Sequence, residues 1–217
     1  MNEQWQAYWD KFADAFVHPL KCNSLLGKFI TNQCVTGAYA EACVKSLAIT
    51  MLPQFRMSTG AVISPSDWTK DLQKLPQCDL IIWNPSDVPA IFEKGDFALV
   101  PNLSARAIIE VKRSVNDLDR FAAQLKRRKE CLLPEFNVLG VVVSHNKSLF
   151  DHADLMNWPK DEKWKKEPAM TRLLAEEDSN KPDTDGVFAL ISLLSHVAKQ
   201  FWRTGDAPWS FVKGSAP

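Results

Sequence analysis

The chain has 217 residues, 46% of them hydrophobic and 24% charged, which is enough apolar material for one folded domain and excludes a disordered chain. Its 26 basic residues balance 26 acidic residues, so binding to nucleic acid would depend on a local basic surface rather than on net charge. The five cysteines lack CxxC spacing and the first residues lack a signal-peptide pattern, which argues against a zinc site and predicts a reducing, cytoplasmic setting.

Two amphipathic helices are predicted near the start of the chain. Between Trp5 and Val17, aromatic side chains recur at helical spacing. A second helix is expected to begin at Thr36 and to end at Pro53, because proline cannot continue a helix. Glu41 would lie in the first or second turn of that second helix.

Short apolar runs closed by proline or polar residues predict five strands. They are Gly60–Ile63, Cys78–Trp83, Phe97–Val100, Ala105–Lys112 and Val138–Val143. A helix capped by Asn116 and running to about Leu133 should separate the last two strands. After a charged, irregular insertion at about 145–182, a final helix is expected to begin at Pro182-Asp183.

This order of elements predicts an α/β fold, with a mixed β-sheet flanked by helices on both faces, in a single domain of residues 1–217. The middle strands should pair antiparallel. The segment from Ala105 to Val143 should be a parallel strand–helix–strand crossover. No apolar run is long enough to span a membrane, so no membrane partner is expected.

Three charged residues within apolar strands indicate a candidate active site. Glu110 and Lys112 are two residues apart, so their side chains share one face of a strand, while Val111 points into the opposite layer. Burying charges in an apolar strand is costly and needs a compensating partner. Asp79 lies in another apolar strand, and if the two strands are neighbours, Asp79 and Glu110 can hold one divalent cation.

Magnesium is the cation that such a set of ligands favours. Mg²⁺ takes hard oxygen ligands and keeps several waters, so two carboxylates and the backbone carbonyl of Val111 would suffice, and Mn²⁺ should substitute. A bound metal lowers the pKa of its water and offsets phosphate charge. Lys112 would then position the water or anchor the scissile phosphate, two roles that the sequence does not separate. The predicted chemistry is phosphodiester hydrolysis.

The pattern Gln77-Cys78-Asp79 followed by Glu110-Val111-Lys112 resembles the signature of the PD-(D/E)XK nuclease superfamily, with Cys78 where proline is usual. The resemblance implies a metal-dependent DNA nuclease with the mixed sheet predicted above. It also implies an additional acidic residue on the first core helix, where Glu41 stands. On the helix after the Glu-x-Lys strand it implies a polar residue near the site, here Gln124, with Lys126, Arg127 and Arg128 close by as DNA contacts.

Within that superfamily the chain is similar to the NucC-type endonucleases, effectors of bacterial antiphage defence. Shared features are Leu52-Pro53 at a helix end, Val100-Pro101 before the Glu-x-Lys strand, and Lys181-Pro182 before an apolar helix. This similarity implies an endonuclease that cuts duplex DNA and takes a cyclic oligonucleotide as activator.

Alternatives to each assignment remain open at the level of sequence. Glu110 could form a structural ion pair with Lys112 or Arg113 on an edge strand. Glu41 also suits a helix N-terminus for electrostatic reasons, and the basic run from Lys126 is typical of a solvated helix face. The chain could be an exonuclease, or a catalytically silent nuclease-fold module that binds DNA or a protein partner.

The final helix motivates one more expectation. Its apolar face is wider than one small sheet requires, which predicts a homo-oligomer in which paired sites would act on both DNA strands.

Overall fold

A computed structural model describes residues 3–21, 29, 32–64, 75–143, 168–174 and 181–201. Its helices are α1 (Glu3–Val17), α2 (Gln33–Met51), α3 (Leu118–Lys129) and α4 (Thr184–Phe201), with a short 3-10 turn at His18–Leu20. Its strands are β1 (Arg56–Ile63), β2 (Cys78–Trp83), β3 (Phe92–Lys94), β4 (Phe97–Pro101), β5 (Ala105–Lys112), β6 (Asn137–Val142) and β7 (Ala169–Arg172).

The strands form one mixed sheet in the order β3-β4-β1-β2-β5-β6-β7. Strand β2 lies between β1 and β5 and is antiparallel to both, as predicted for the middle of the sheet. Strands β5 and β6 are parallel and are connected through α3, which confirms the predicted crossover. Strand β5 is therefore interior, so the alternative that placed Glu110 on an edge strand is wrong.

Helices cover both faces of the sheet, which confirms the predicted α/β architecture. On one face, Phe121 and Leu125 of α3 pack into a core with Ile108 of β5. On the other face, α1, α2 and α4 pack against a core that includes Ile109 and Val111. Because side chains alternate along a strand, Glu110 and Lys112 belong to the face that α3 covers.

The capping residues explain where two helix boundaries differ from prediction. Helix α2 begins at Gln33 rather than Thr36, because the Asn32 side chain accepts a hydrogen bond from the Cys34 amide. Helix α3 is capped by Asp117 rather than Asn116, and it ends at Lys129, four residues before the predicted end at Leu133.

Strands β3 and β7 were not predicted. Strand β3 has three residues, all exposed, on the edge of the sheet, so it lacks the apolar alternation that marks a half-buried strand. Strand β7 is a four-residue segment that depends on its parallel pairing with β6. It lies inside the predicted irregular insertion, which is thus partly regular; residues 145–167 and 175–180 of that insertion lie outside the described residues.

The apolar face of α4 is used within the chain. Its buried residues, among them Val187, Leu190, Leu194 and Val197, join the core shared with α1 and α2. Among the side chains of α4 that the structure describes, which exclude Phe201, the predicted surplus of apolar surface is therefore wrong, and this helix no longer supports the prediction of a homo-oligomer. None of the helices in the described segments combines the length and apolar composition needed to cross a bilayer.

Candidate active site

Asp79 and Glu110 lie side by side where the β2–β5 ladder ends. The last paired residues of this ladder are Leu80 and Ile109. Asp79 directly precedes Leu80 and Glu110 directly follows Ile109, so the two carboxylates lie just beyond the last pair. The Val111 amide donates a 2.9 Å hydrogen bond to Asp79 Oδ2. The Asp79 amide lies 3.4 Å from Glu110 Oε1. The prediction that these two strands are neighbours is confirmed.

The Lys112 ammonium lies among the oxygens of these residues. Its Nζ is 2.9 Å from Asp79 Oδ2, 3.3 Å from the Val111 carbonyl and 3.7 Å from Glu110 Oε2. These three oxygens belong to the residues that the sequence assigned to a metal ion. They converge on one positively charged group, as oxygens that bind a cation must.

Glu110 provides the test of whether a metal fits. Its side chain is fully buried, and among the described residues its Oε2 atom has no hydrogen-bond donor. A buried carboxylate oxygen without a hydrogen-bond donor is unfavourable, and coordination of a cation would satisfy it. No group of three or more acidic, histidine or cysteine side chains is close enough to bind a metal within the described segments. Two carboxylates, a carbonyl and waters remain a set that Mg²⁺ accepts.

The charges at the site act on the pKa of Glu110. Burial raises this pKa above the ordinary value for glutamate, and the neighbouring Asp79 charge raises it further, while Arg128 and Lys112 lower it. Two carboxylates held this close repel each other, and a cation bound between them would offset that repulsion.

Glu41 approaches the same site from α2. It is half-buried, and its pKa is raised by burial and by Asp79 and lowered by Lys112. Glu41 is therefore within electrostatic reach of both residues. Its role as an additional acidic residue of the active site stays a prediction.

The predicted DNA contacts on α3 have different surroundings. Lys126 and Arg127 are exposed, and Gln124 is half-buried. Arg128 instead points to the sheet: its side chain is only 14% exposed and its Nε lies 2.5 Å from Glu110 Oε1, in an ion pair rather than a directed hydrogen bond. The assignment of all four to DNA binding stays a prediction.

The contact between Arg128 and Glu110 was missed from the sequence, although a signal for it exists. Phe121, Leu125 and Arg128 follow the i, i+4, i+7 spacing of one helix face, and the first two are buried against the sheet. A cation in that series should face the sheet beside whatever charge the sheet presents.

Comparison with solved structures shows that the chain has the NucC fold. The cAAA-bound form of NucC from P. aeruginosa ATCC27853 matches with a TM-score of 0.56 and 12% identity, over 94% of this chain and 99% of that one. The cAAA-bound form of NucC from E. coli MS115-1 matches with a TM-score of 0.52 and 17% identity, over 95% and 93% of the two chains. No protein-family profile and no curated protein matches the chain.

Proposed function

We propose that this protein is a Mg²⁺-dependent endonuclease that hydrolyses phosphodiester bonds in duplex DNA. Oxygens of Asp79, Glu110 and the Val111 carbonyl converge on the Lys112 ammonium, and the buried Glu110 Oε2 has no hydrogen-bond donor among the described residues; this arrangement carries the proposal. The NucC fold supports it, because the likeness extends over nearly the whole of both chains.

The residues of the site would each have a distinct role. Asp79 and Glu110 would hold the metal through their side chains, Val111 through its carbonyl, and Mn²⁺ should replace Mg²⁺. The metal would supply a water of lowered pKa and offset phosphate charge. Lys112, whose side chain is 35% exposed, would orient that water or hold a phosphate oxygen. Glu41 would bind a second metal ion or orient a water.

Regulation and setting are proposed from the fold alone. Two NucC structures of the same fold contain cAAA. This likeness of fold is an analogy and identifies no nucleotide-binding residue in this chain. We infer activation by a cyclic oligonucleotide, action as a homo-oligomer in the cytoplasm, and a role in antiphage defence.

A catalytically silent module is the second candidate, and one observation favours it. Lys112 and Arg128 already pair with both carboxylates in the protein alone. A site neutralised in this way could persist for its contribution to structure, with DNA or a protein bound elsewhere.

Cleavage of supercoiled plasmid separates these candidates. We expect nicking and linearisation with Mg²⁺ or Mn²⁺ and none with EDTA, in reactions run with and without a panel of cyclic oligonucleotides. Glu110→Ala should abolish cutting. Loss of linear DNA while closed circles survive would identify an exonuclease, and equal cutting by wild type and Glu110→Ala would exclude this mechanism.

A further inference from the structure

Arg128 connects α3 to both strands that carry the proposed metal ligands. Its Nε lies 2.5 Å from Glu110 Oε1 on β5. Its Nη2 donates a 2.6 Å hydrogen bond to the carbonyl of Gln77, the residue directly before β2. Its Nη1 lies 3.4 Å from the carbonyl of Gln124 on its own helix. The guanidinium is therefore fixed by backbone carbonyls and not only by its charge.

The two carboxylate oxygens of Glu110 have separate surroundings because of this arrangement. Oε1 lies beside Arg128 and the Asp79 amide. Oε2 lies 3.7 Å from Lys112 Nζ and has no hydrogen-bond donor among the described residues. Arg128 of α3 thus holds Oε1, and Oε2 remains available to bind a metal ion.

We infer that Arg128 is a positioning residue, which holds Glu110 through Oε1 so that Oε2 is presented to a divalent cation. The inference rests on the proposed function, and it assigns to Arg128 a task other than contact with DNA. The planar guanidinium suits this task, because it can meet a carboxylate and a carbonyl at the same time, whereas the single ammonium of lysine cannot hold the same fork.

Charge and positioning act in opposite directions on metal affinity. The positive charge of Arg128 repels a cation bound to Glu110. A neutral substitution would therefore raise metal affinity by removing this repulsion and lower it by releasing Glu110. Arg128→Lys keeps the charge beside the buried carboxylate and removes the fork, so it isolates positioning. Replacing a group that orients a metal ligand typically weakens metal binding tenfold to a hundredfold.

Calorimetric titration of the full chain with Mn²⁺ tests the inference. We expect Arg128→Lys to bind Mn²⁺ at least about tenfold more weakly than wild type. The Mg²⁺ concentration for half-maximal plasmid cleavage should rise in parallel. Arg120→Met is the matched control, since it removes an exposed charge from the same helix and should leave Mn²⁺ affinity unchanged.

The outcomes separate this inference from the proposed function. Mn²⁺ affinity of Arg128→Lys within twofold of wild type overturns the positioning role. So does a variant with weaker DNA binding, measured without divalent metal, and unchanged Mn²⁺ affinity, because that result identifies a phosphate contact. Absence of Mn²⁺ binding by the folded wild-type protein overturns the proposed function, and the positioning role with it.

Discussion

At the scale of single residues, Lys112 has two opposing effects. Its ammonium lies 2.9 Å from Asp79 Oδ2 and 3.3 Å from the Val111 carbonyl, so it stabilises the site in the absence of metal and competes with a divalent cation for the same oxygens. The proposed reaction also requires this positive charge beside the water or the phosphate. Metal affinity and catalysis should therefore respond to its removal in opposite directions.

Lys112→Met is expected to bind Mn²⁺ more tightly than wild type and to cut plasmid DNA at least about a hundredfold more slowly, the usual scale for a positioned catalytic group. Calorimetry and single-turnover cleavage at saturating Mg²⁺ measure the two effects. Lys112→Arg retains the charge and serves as the control for affinity. A variant that cuts at the wild-type rate would show that Lys112 is only a structural counter-ion.

Asp79 adds to the electrostatic cost of the site in the absence of metal. The raised pKa values of Glu41 and Glu110 mean that the folded state binds protons more tightly than the unfolded chain. Their favourable contribution is therefore complete below the ordinary glutamate pKa and is lost as pH rises through the raised values. Burial is the larger cause of both raised pKa values, and Asp79 raises them further, so it adds to the cost at neutral pH.

In EDTA at neutral pH, Asp79→Asn should be about as stable as wild type: asparagine keeps an acceptor for the Val111 amide, and the lost ion pair with Lys112 is offset by the lost repulsion of Glu110 and Glu41. Saturating Mg²⁺ should stabilise wild type by about 3 kcal/mol at a hundred times its dissociation constant, and the variant hardly at all. Urea unfolding at several pH values measures both. A large loss of stability in EDTA would contradict this electrostatic account.

At the scale of elements, Gly60 fixes how β1 lies between β2 and β4. Its φ is +135°, a conformation that side-chain-bearing residues rarely adopt, and the β1–β2 register shifts between Ser58 and Gly60. An added Cβ would lie 2.0 Å from the Ala98 carbonyl oxygen of β4. That oxygen belongs to backbone in the sheet interior, so it cannot move aside cheaply.

Gly60→Ala should destabilise the protein by more than about 3 kcal/mol, as backbone strain and steric overlap combine. Gly37→Ala in α2 is the control: its added Cβ meets nothing within 4 Å, and it should stabilise the helix by about 0.5–1 kcal/mol. Urea unfolding of both variants checks the contrast. Similar stabilities would mean that β1 and β4 do not approach as closely as described.

How well each element could be predicted depended on where its determinants lie. Strands β2 and β5 have the predicted bounds because each is an apolar run enclosed by local stop signals. Strands β3 and β7 could not be predicted, since three exposed residues and a four-residue segment take their structure from neighbours distant in sequence. The Arg128–Glu110 ion pair likewise requires the crossover to place α3 over β5.

At the scale of the whole molecule, a net charge of zero provides no general attraction to DNA. Binding would then depend on local cations, and Lys126 and Arg127 are exposed on the same helix that brings Arg128 to the site. Charge at the end of one helix would orient the duplex toward Glu110 without steering from the rest of the surface.

The double variant Lys126→Gln, Arg127→Gln should bind duplex DNA more weakly at low salt. It should reduce the slope of log affinity against log salt concentration by about 1.8, or about 0.9 for each phosphate that the protein no longer neutralises. Fluorescence anisotropy in EDTA measures this, with Mn²⁺ affinity expected to remain at the wild-type value. An unchanged slope would place the DNA-binding surface elsewhere on the molecule.

Anomalous diffraction from crystals grown with Mn²⁺ would show whether Asp79 and Glu110 bind a divalent cation. We expect an anomalous peak at about 2.0–2.2 Å from an Asp79 oxygen, Glu110 Oε2 and the Val111 carbonyl, with the Lys112 ammonium moved off these oxygens and Arg128 still beside Oε1. Crystals at saturating Mn²⁺ with no peak there, and with Lys112 still on Asp79, would contradict binding of a divalent cation by these carboxylates.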